Sequence, residues 1–298
     1  MDTRINIALV GFGKFGKKYA KTLKKNKNFL LKAIYRKNKF YRNDFHKLSK
    51  KNLKDNKIKA AIICTPVNTH FKLAKFFIEQ KIPIILEKPA AGNESQIKKL
   101  LFLSKKCKST VLINHSDLFN KNFETLISKM NMIGKIKYIE AYFGKFSKNY
   151  RDKNFLPYKD WLPHPLALIL TIVKKASLKR VILNNINKKK NSFFQDISLF
   201  LKCSNNIQAK IFFSNRKKKK RRNIIVYGKK GKLNYDGYDY QNNFIEKNKR
   251  SFFNSLKPSP MDTILNKLHR LTLNKMFCSD LRLSLDVEKI IANIKRSI

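Results

Sequence analysis

INIALVGFGKFGKKY, residues 5–19, decides the fold. Its first part is a short, mainly apolar run that reads as a buried parallel strand, and the glycines that follow turn the chain into a helix starting near Lys14. Gly11, Gly13 and Gly16 have the G-x-G-x-x-G spacing, with Phe12, Lys14 and Phe15 filling the loop. In that arrangement the first glycine permits the tight turn, the second lets the backbone approach a pyrophosphate, and the third lets the helix pack closely on the sheet. The free N–H groups of the first helical turn then face the anion. The whole chain has only 9 glycines among 298 residues, so three of them within six positions is a concentrated signal.

From residue 29 to residue 115 the pattern continues as short apolar strands alternating with helices. Strands are predicted over 29–35, 59–65, 82–86 and 110–114, and helices over 69–80, capped by Thr69, and over 94–105, with a poorly patterned stretch at 40–57. This alternation predicts a doubly wound parallel sheet. In such sheets functional groups gather beyond the carboxyl ends of the strands, where Gly11, Thr65, Lys88 and His115 fall. Beyond residue 120 the texture changes. Strands are predicted at 136–143, 178–184, 195–202, 207–213 and 222–227, followed by the hairpin-like GKKGKLNYDG. Helices are expected over 123–130, 162–174, 261–278 and 283–294, and a turn region over 252–259. The reading is a dinucleotide-binding domain over 1–118 and an α+β domain with a mostly antiparallel sheet over 119–298, the last helix packing back on the first domain.

The charge is the loudest compositional feature, with 67 Lys and Arg against 19 Asp and Glu and a formal net charge of +48. A polyanion-binding protein would explain the lysines. It would leave the 23 phenylalanines without an account. A genome biased to A/T codons explains the excess of Lys, Asn, Ile and Phe together with the scarcity of Gly and Pro. We therefore expect a cytoplasmic protein of an AT-rich bacterium, with no dedicated nucleic-acid partner, and read the basic run 217–222 as a solvated connection between strands. No apolar run is long enough to span a membrane. Cys64, Cys107, Cys203 and Cys278 lack C-x-x-C spacing, which predicts free thiols and no metal site.

The end of the second predicted strand bears on cofactor choice. An acidic residue there would accept the ribose hydroxyls of NAD. This chain has Tyr35, Arg36 and Lys37, and the two cations suit a 2'-phosphate. The expectation is NADP in preference to NAD.

Four motifs in order, GFGKFG at 11–16, CTPVNTH at 64–70, EKP at 87–89 and DWLPH at 160–164, resemble the glucose-fructose oxidoreductase, inositol dehydrogenase and rhizopine catabolism (Gfo/Idh/MocA) family. IGKI at 133–136, GKKG at 228–231 and the tail from Val287 extend the likeness along the chain. The resemblance implies a Rossmann-type domain followed by an α+β domain. It also implies hydride transfer between a nicotinamide cofactor and a hydroxyl or ketone carbon of a sugar, inositol, sugar nucleotide or related small molecule. It carries Lys88 to the nicotinamide and the substrate hydroxyl, and assigns Asp160 and His164 to the chemistry in the second domain. Spacing of four places Asp160 and His164 on one side of a helix, so that the carboxylate orients the imidazole. Pro89 holds Lys88 on a stiff turn. Cys64, Thr65, Pro66, His70 and Glu87 are expected to border the cofactor or steer Lys88, and Asn114 and His115 to touch nicotinamide or substrate. The family often has Gly and Asp where this chain has Leu162 and Ala167, which would narrow the approach and remove a polar contact. Homo-oligomerisation through the second-domain sheet is expected. The alternatives are a catalytically silent cofactor-binding relative and a basic polyanion binder.

Overall fold

The computed structural model describes residues 4–36, 48–146, 157–189, 192–216, 218–238, 241–246, 249–254 and 259–296. Lys37 and Lys217 lie outside the described residues. The chain divides into two compact units, Met1–His115 with Pro260–Leu285, and Ser116–Ser259 with Asp286–Ile298.

The first unit is built from β1 (Ile5–Val10), α1 (Lys14–Lys24), β2 (Phe29–Tyr35), α2 (Lys50–Asp55), β3 (Ala60–Ile63), α3 (Val67–Glu79), β4 (Ile84–Glu87), α4 (Glu94–Lys106) and β5 (Val111–Asn114). The strands form one parallel sheet in the order β2-β1-β3-β4-β5. Strand order reverses at β1, which has β2 on one side and β3 on the other, so the crevice of this doubly wound sheet opens at the carboxyl end of β1. The inner strands are apolar on both faces because helices cover both: Ile7 to Val10, Ala60 to Ile63, Ile84 to Leu86 and Val111 to Ile113 are fully buried. Burial of each Ile or Leu in such a sheet contributes about 1.5–3 kcal/mol before the entropy of ordering is subtracted. The cap of α3 is Pro66 rather than Thr69. The Thr69 hydroxyl instead lies 2.7 Å from both the Pro66 carbonyl and the Thr65 hydroxyl, because the helix has already begun at Val67.

The second unit opens with a 3-10 turn, Ser116–Phe119, followed by α5 (Lys121–Ser128), β6 (Ile136–Gly144), α6 (Pro157–Trp161) and α7 (Pro163–Val173). Seven strands follow: β7 (Ala176–Lys189), β8 (Ser192–Cys203), β9 (Gln208–Ser214), β10 (Arg221–Gly228), β11 (Lys232–Asp236), β12 (Gln241–Glu246) and β13 (Lys249–Asn254). With β6 they form an eight-stranded sheet, β13-β12-β11-β10-β6-β9-β8-β7, antiparallel except for the β6–β9 pair. Period-two alternation sets its inner face: Ile139, Ala141 and Phe143 on β6, Ala209, Ile211 and Phe213 on β9, and Ile224 and Val226 on β10 are buried. Against this face lies α7, in which Leu166, Ala167, Leu168 and Ile169 are all fully buried. The turn expected over 252–259 is corrected at its start. Phe252 to Asn254 belong to β13 and pair with β12, a pairing that the adjacent aromatics of KRSFFN conceal because they break the alternation.

Helices α8 (Pro260–Leu273) and α9 (Leu281–Arg296) close the chain. In the first unit, His269 of α8 packs edge-on against Phe29 at 5.6 Å, and Leu281 and Leu285 at the start of α9 join the core. No described helix is long and apolar enough to cross a membrane. Among the described residues no group of three or more His, Cys, Asp or Glu side chains could hold a metal ion.

Candidate functional site

The glycine turn after β1 has the shape its residue types dictate. Gly11 has φ +97°, and a Cβ there would strike the Cys64 carbonyl at 2.8 Å. At Gly16 a Cβ would run into the Gly11 carbonyl oxygen, so any side chain would push α1 off the sheet. Gly13 is the opposite case, with nothing within 4 Å of an added Cβ. It is also the N-cap of α1 and brings no capping side chain, whereas Ser49, Asn93 and Asn120 cap α2, α4 and α5 through their side chains. An open approach to a helix N-terminus with uncapped N–H groups fits a diphosphate. The Gly11 N–H donates to the Tyr35 carbonyl at 2.8 Å, tying the end of β2 to this turn. Arg36 is thereby carried over the ring of Phe12, its guanidinium carbon 4.3 Å from the ring centroid. Stacking restricts an otherwise mobile cation beside the turn. Tyr35 itself turns into the core. Lys14 and Phe15 are exposed on the first turn of α1, with the Lys18 ammonium 5.3 Å over Phe15.

The neighbouring strand ends hold the other candidates of this unit. Cys64 sits beneath the turn with Sγ 3.3 Å from the Gly11 carbonyl, and burial followed by the nearby Glu87 pushes its thiol up to about 12. It is a packing group and not a thiolate. Thr65 is half-buried and Pro66 exposed at the same rim. Glu87 ends β4, and its Oε1 accepts from Asn114 Nδ2 of β5 at 2.7 Å. Burial raises the Glu87 carboxyl, partly offset by Asn114 and Lys88. Lys88 follows on a half-buried turn, joined to Pro89 by a cis peptide bond. His70 lies between two backbone carbonyls. It is 1% exposed, its Nδ1 lies 2.8 Å from the Pro89 carbonyl and its Nε2 2.8 Å from the Thr65 carbonyl, so the ring braces two loops against each other. Burial lowers its proton affinity against the pull of those carbonyls. His115 is likewise buried, with Nε2 3.2 Å from the Ser284 hydroxyl.

In the second unit the chemistry gathers around His164. Pro163 starts α7, where its missing N–H costs nothing, and the apolar body of that helix is locked in the core, so His164 projects from a rigid first turn. Its Nδ1 lies 2.8 Å from Asp117 Oδ2, with 7% of His164 and 3% of Asp117 exposed. The carboxylate at this nitrogen is therefore Asp117 of the 3-10 turn and not Asp160, which lies half-buried on α6. A spacing of four fixes the side on which a residue leaves a helix, but not the direction in which a ring nitrogen points. Asp117 is clamped further: Arg222 Nη1 lies 3.3 Å from both of its oxygens, and the Tyr235 hydroxyl donates to Oδ1 at 2.9 Å. Burial alone would raise the Asp117 carboxyl, but His164, Arg222 and Tyr235 together hold it well below the usual carboxylate range. Burial and then Asp117 keep the Tyr235 hydroxyl protonated far above its ordinary range. The Arg222 guanidinium lies 5.6 Å from the Trp161 ring centroid and 5.8 Å from that of Tyr238. Trp161 in turn stacks on Phe213 at 6.2 Å. Breaking such a buried charge pair by removing one partner costs about 3–5 kcal/mol in general. Leu162 and Ala167 are both fully buried in the core.

Asp117, Arg222 and Tyr235 are absent from the sequence-based candidates. A signal for two of them exists in the strand period. Arg222 shares a face with Ile224 and Val226, and Tyr235 with Leu233, so alternation alone places an arginine on the buried face of β10 at the end of a run that otherwise reads as solvated.

Residues 5–115 match the model of an oxidoreductase family with an NAD-binding Rossmann fold, Gfo/Idh/MocA. Two curated Escherichia coli proteins are similar. The uncharacterized oxidoreductase YdgJ is 30% identical over 101 residues, covering 33% of this chain and 29% of the relative. The uncharacterized oxidoreductase YhhX is 23% identical over 210 residues, covering 66% of this chain and 58% of the relative. The chain thus spans less than two thirds of the length of either relative. Among solved structures, UDP-N-acetylglucosamine 3-dehydrogenase from Acidithiobacillus ferrooxidans superposes with a TM-score of 0.83 at 15% identity, over 99% of this chain and 98% of that one. This last likeness is one of fold. Residues 5–115 thus form an N-terminal Rossmann fold of the Gfo/Idh/MocA type.

Proposed function

We propose that the protein is an NAD(P)-dependent oxidoreductase acting on a hydroxyl or ketone carbon of a polyhydroxylated small molecule, a sugar, inositol or sugar nucleotide. The observation that carries this reading is the buried His164–Asp117 contact in a chain whose first unit has an open, uncapped glycine turn. A nucleotide-sugar dehydrogenase among the proteins of the same fold supports the substrate class. When bound, the nicotinamide would supply or accept a hydride. Gly11, Phe12, Gly13, Gly16 and Arg36 would hold its phosphates and ribose. Lys88 binds the oxygen on the reacting carbon and stabilises the negative charge that grows there when the C=O electron pair moves to oxygen. His164 supplies the proton that oxygen takes up, or removes it in the oxidative direction. Asp160 is assigned to a substrate hydroxyl. The test is oxidation of NADPH and NADH across a panel of keto-sugars and inosose-type ketones. Cofactor binding without turnover on any of them would favour a silent relative.

NADP is the favoured cofactor because Arg36 is stacked on Phe12 beside the turn and the end of β2 carries no carboxylate. Arg36→Ala is expected to weaken NADPH binding by about tenfold or more, the loss of one charge-assisted contact of about 1.5–3 kcal/mol, and to change NADH binding little. Equal losses for the two cofactors, measured by fluorescence titration, would show that Arg36 does not read the 2'-phosphate.

A second copy of the chain is the proposed occupant of the outer face of the eight-stranded sheet. That face carries Tyr138 against Tyr227 and Tyr142 against Phe212, with Glu140, Lys210 and Arg221 among them, so it offers apolar area and both signs of charge to an identical face. Tyr142→Glu with Phe212→Lys is expected to convert a dimer to a monomer in sedimentation. A wild-type monomer at micromolar concentration would refute the assignment.

A further inference from the structure

The carboxylate at His164 Nδ1 comes from a different part of the chain than the D-x-x-x-H motif, and it has further partners of its own. We propose that Asp117 is the positioning residue of His164: clamped by Arg222 and Tyr235, it holds Nδ1 as a hydrogen-bond donor and makes Nε2 the nitrogen that exchanges protons. The inference rests on the reading of His164 as the proton-exchanging group. Its geometric basis does not.

An ionised carboxylate has no hydrogen to give, and a bare nitrogen lone pair 2.8 Å from Oδ2 would be repelled by it, so the contact favours a proton on Nδ1. With Nδ1 protonated in both charge states, every proton that the ring takes up or releases passes through Nε2. In the reducing direction the Nε2–H bond breaks toward the substrate oxygen and its electron pair stays on nitrogen, leaving a neutral ring that still donates from Nδ1. Asp117 keeps its charge throughout. The clamp accounts for that constancy: Tyr235 occupies Oδ1, Arg222 spans both oxygens, and the carboxylate is 3% exposed. A carboxylate free to rotate would release the ring, and one with no other partner would draw the ring proton more strongly. Arg222 therefore acts in opposition to Asp117, offsetting the negative charge that favours imidazolium. Among the described residues, the charged and titratable groups around His164 include Asp117 on the 3-10 turn, Arg222 on β10 and Tyr235 on β11, with Asp160 on adjoining α6.

The test is long-range 1H–15N NMR of the full chain with labelled histidine, His164 being assigned by its loss in His164→Asn. Wild-type protein is expected to show the Nδ1–H tautomer at neutral pH. Asp117→Asn is expected to lower the titration midpoint of His164 by roughly 1–3 units, and Arg222→Met to raise it. Asp160→Asn is expected to leave the tautomer unchanged. An Nε2–H tautomer in the wild-type protein overturns the proposal without any variant, should Asp117→Asn fail to fold. A midpoint moved by Asp160→Asn and not by Asp117→Asn overturns it as well. Assayed beside these spectra, a protein with the expected tautomer and no turnover would sink the oxidoreductase reading alone, while turnover with the wrong tautomer would sink the role of Asp117 alone.

Discussion

Lys88→Ala is expected to lower kcat by about 10² or more, a loss of at least about 2.7 kcal/mol of transition-state stabilisation. The side chain follows directly on β4, at the carboxyl edge of a fully buried strand, and Glu87 before it is anchored to Asn114 of β5. His70 braces the next carbonyl, that of Pro89. An ammonium on so supported a turn is pre-positioned, and a fixed positive charge is worth most where an oxyanion forms and water is excluded. Lys88→Arg should recover part of the loss if charge is what matters, and Lys88→Met none. The NADPH dissociation constant, measured separately, should move far less than kcat, which distinguishes a role at the reacting oxygen from a collapsed cofactor cradle. A Lys88→Ala protein with near wild-type kcat and kcat/KM would remove Lys88 from the chemistry.

The glycine turn was legible from residues 5–19 alone because its constraints are local. A Cβ at Gly16 meets Gly11 five positions away and one at Gly11 meets the backbone at the end of the strand beside it, while Gly13 leaves the approach to the helix open. The parallel sheet was legible for a related reason, since strands buried on both faces write continuous apolar runs. The His164 cluster obeyed no such rule. Arg222 and Tyr235 reach Asp117 across 105 and 118 positions, and nothing in the segment SDLF marks its aspartate as the meeting point. Asp160 was the natural sequence choice because proximity along the chain was the only proximity available. At His70 the sequence shows a histidine beside a cofactor motif but not the two backbone carbonyls that lie against its nitrogens. Strands β12 and β13 escaped because their polar and adjacent aromatic residues carry no clean period.

His164→Asn is expected to reduce kcat/KM by about 10²–10⁴ and to erase one limb of its pH profile. Asparagine is chosen because its amide N–H can occupy the place of Nδ1 and still donate to Asp117, so the buried carboxylate keeps a third partner beside Arg222 and Tyr235. Alanine would leave that oxygen with Arg222 as its donor and an empty place beside it, and its loss of activity would be entangled with loss of stability. What asparagine cannot replace is a nitrogen that gains and loses a proton near neutral pH. The residual rate should therefore respond to pH only through whatever other group titrates, and the thermal midpoint should stay close to that of the wild-type protein. A variant equally slowed but with both limbs intact would mean that His164 shapes the site and another group moves the proton. A variant with unchanged rate and profile would remove the imidazole from the reaction, leaving the clamp on Asp117 as an element of the second-unit core.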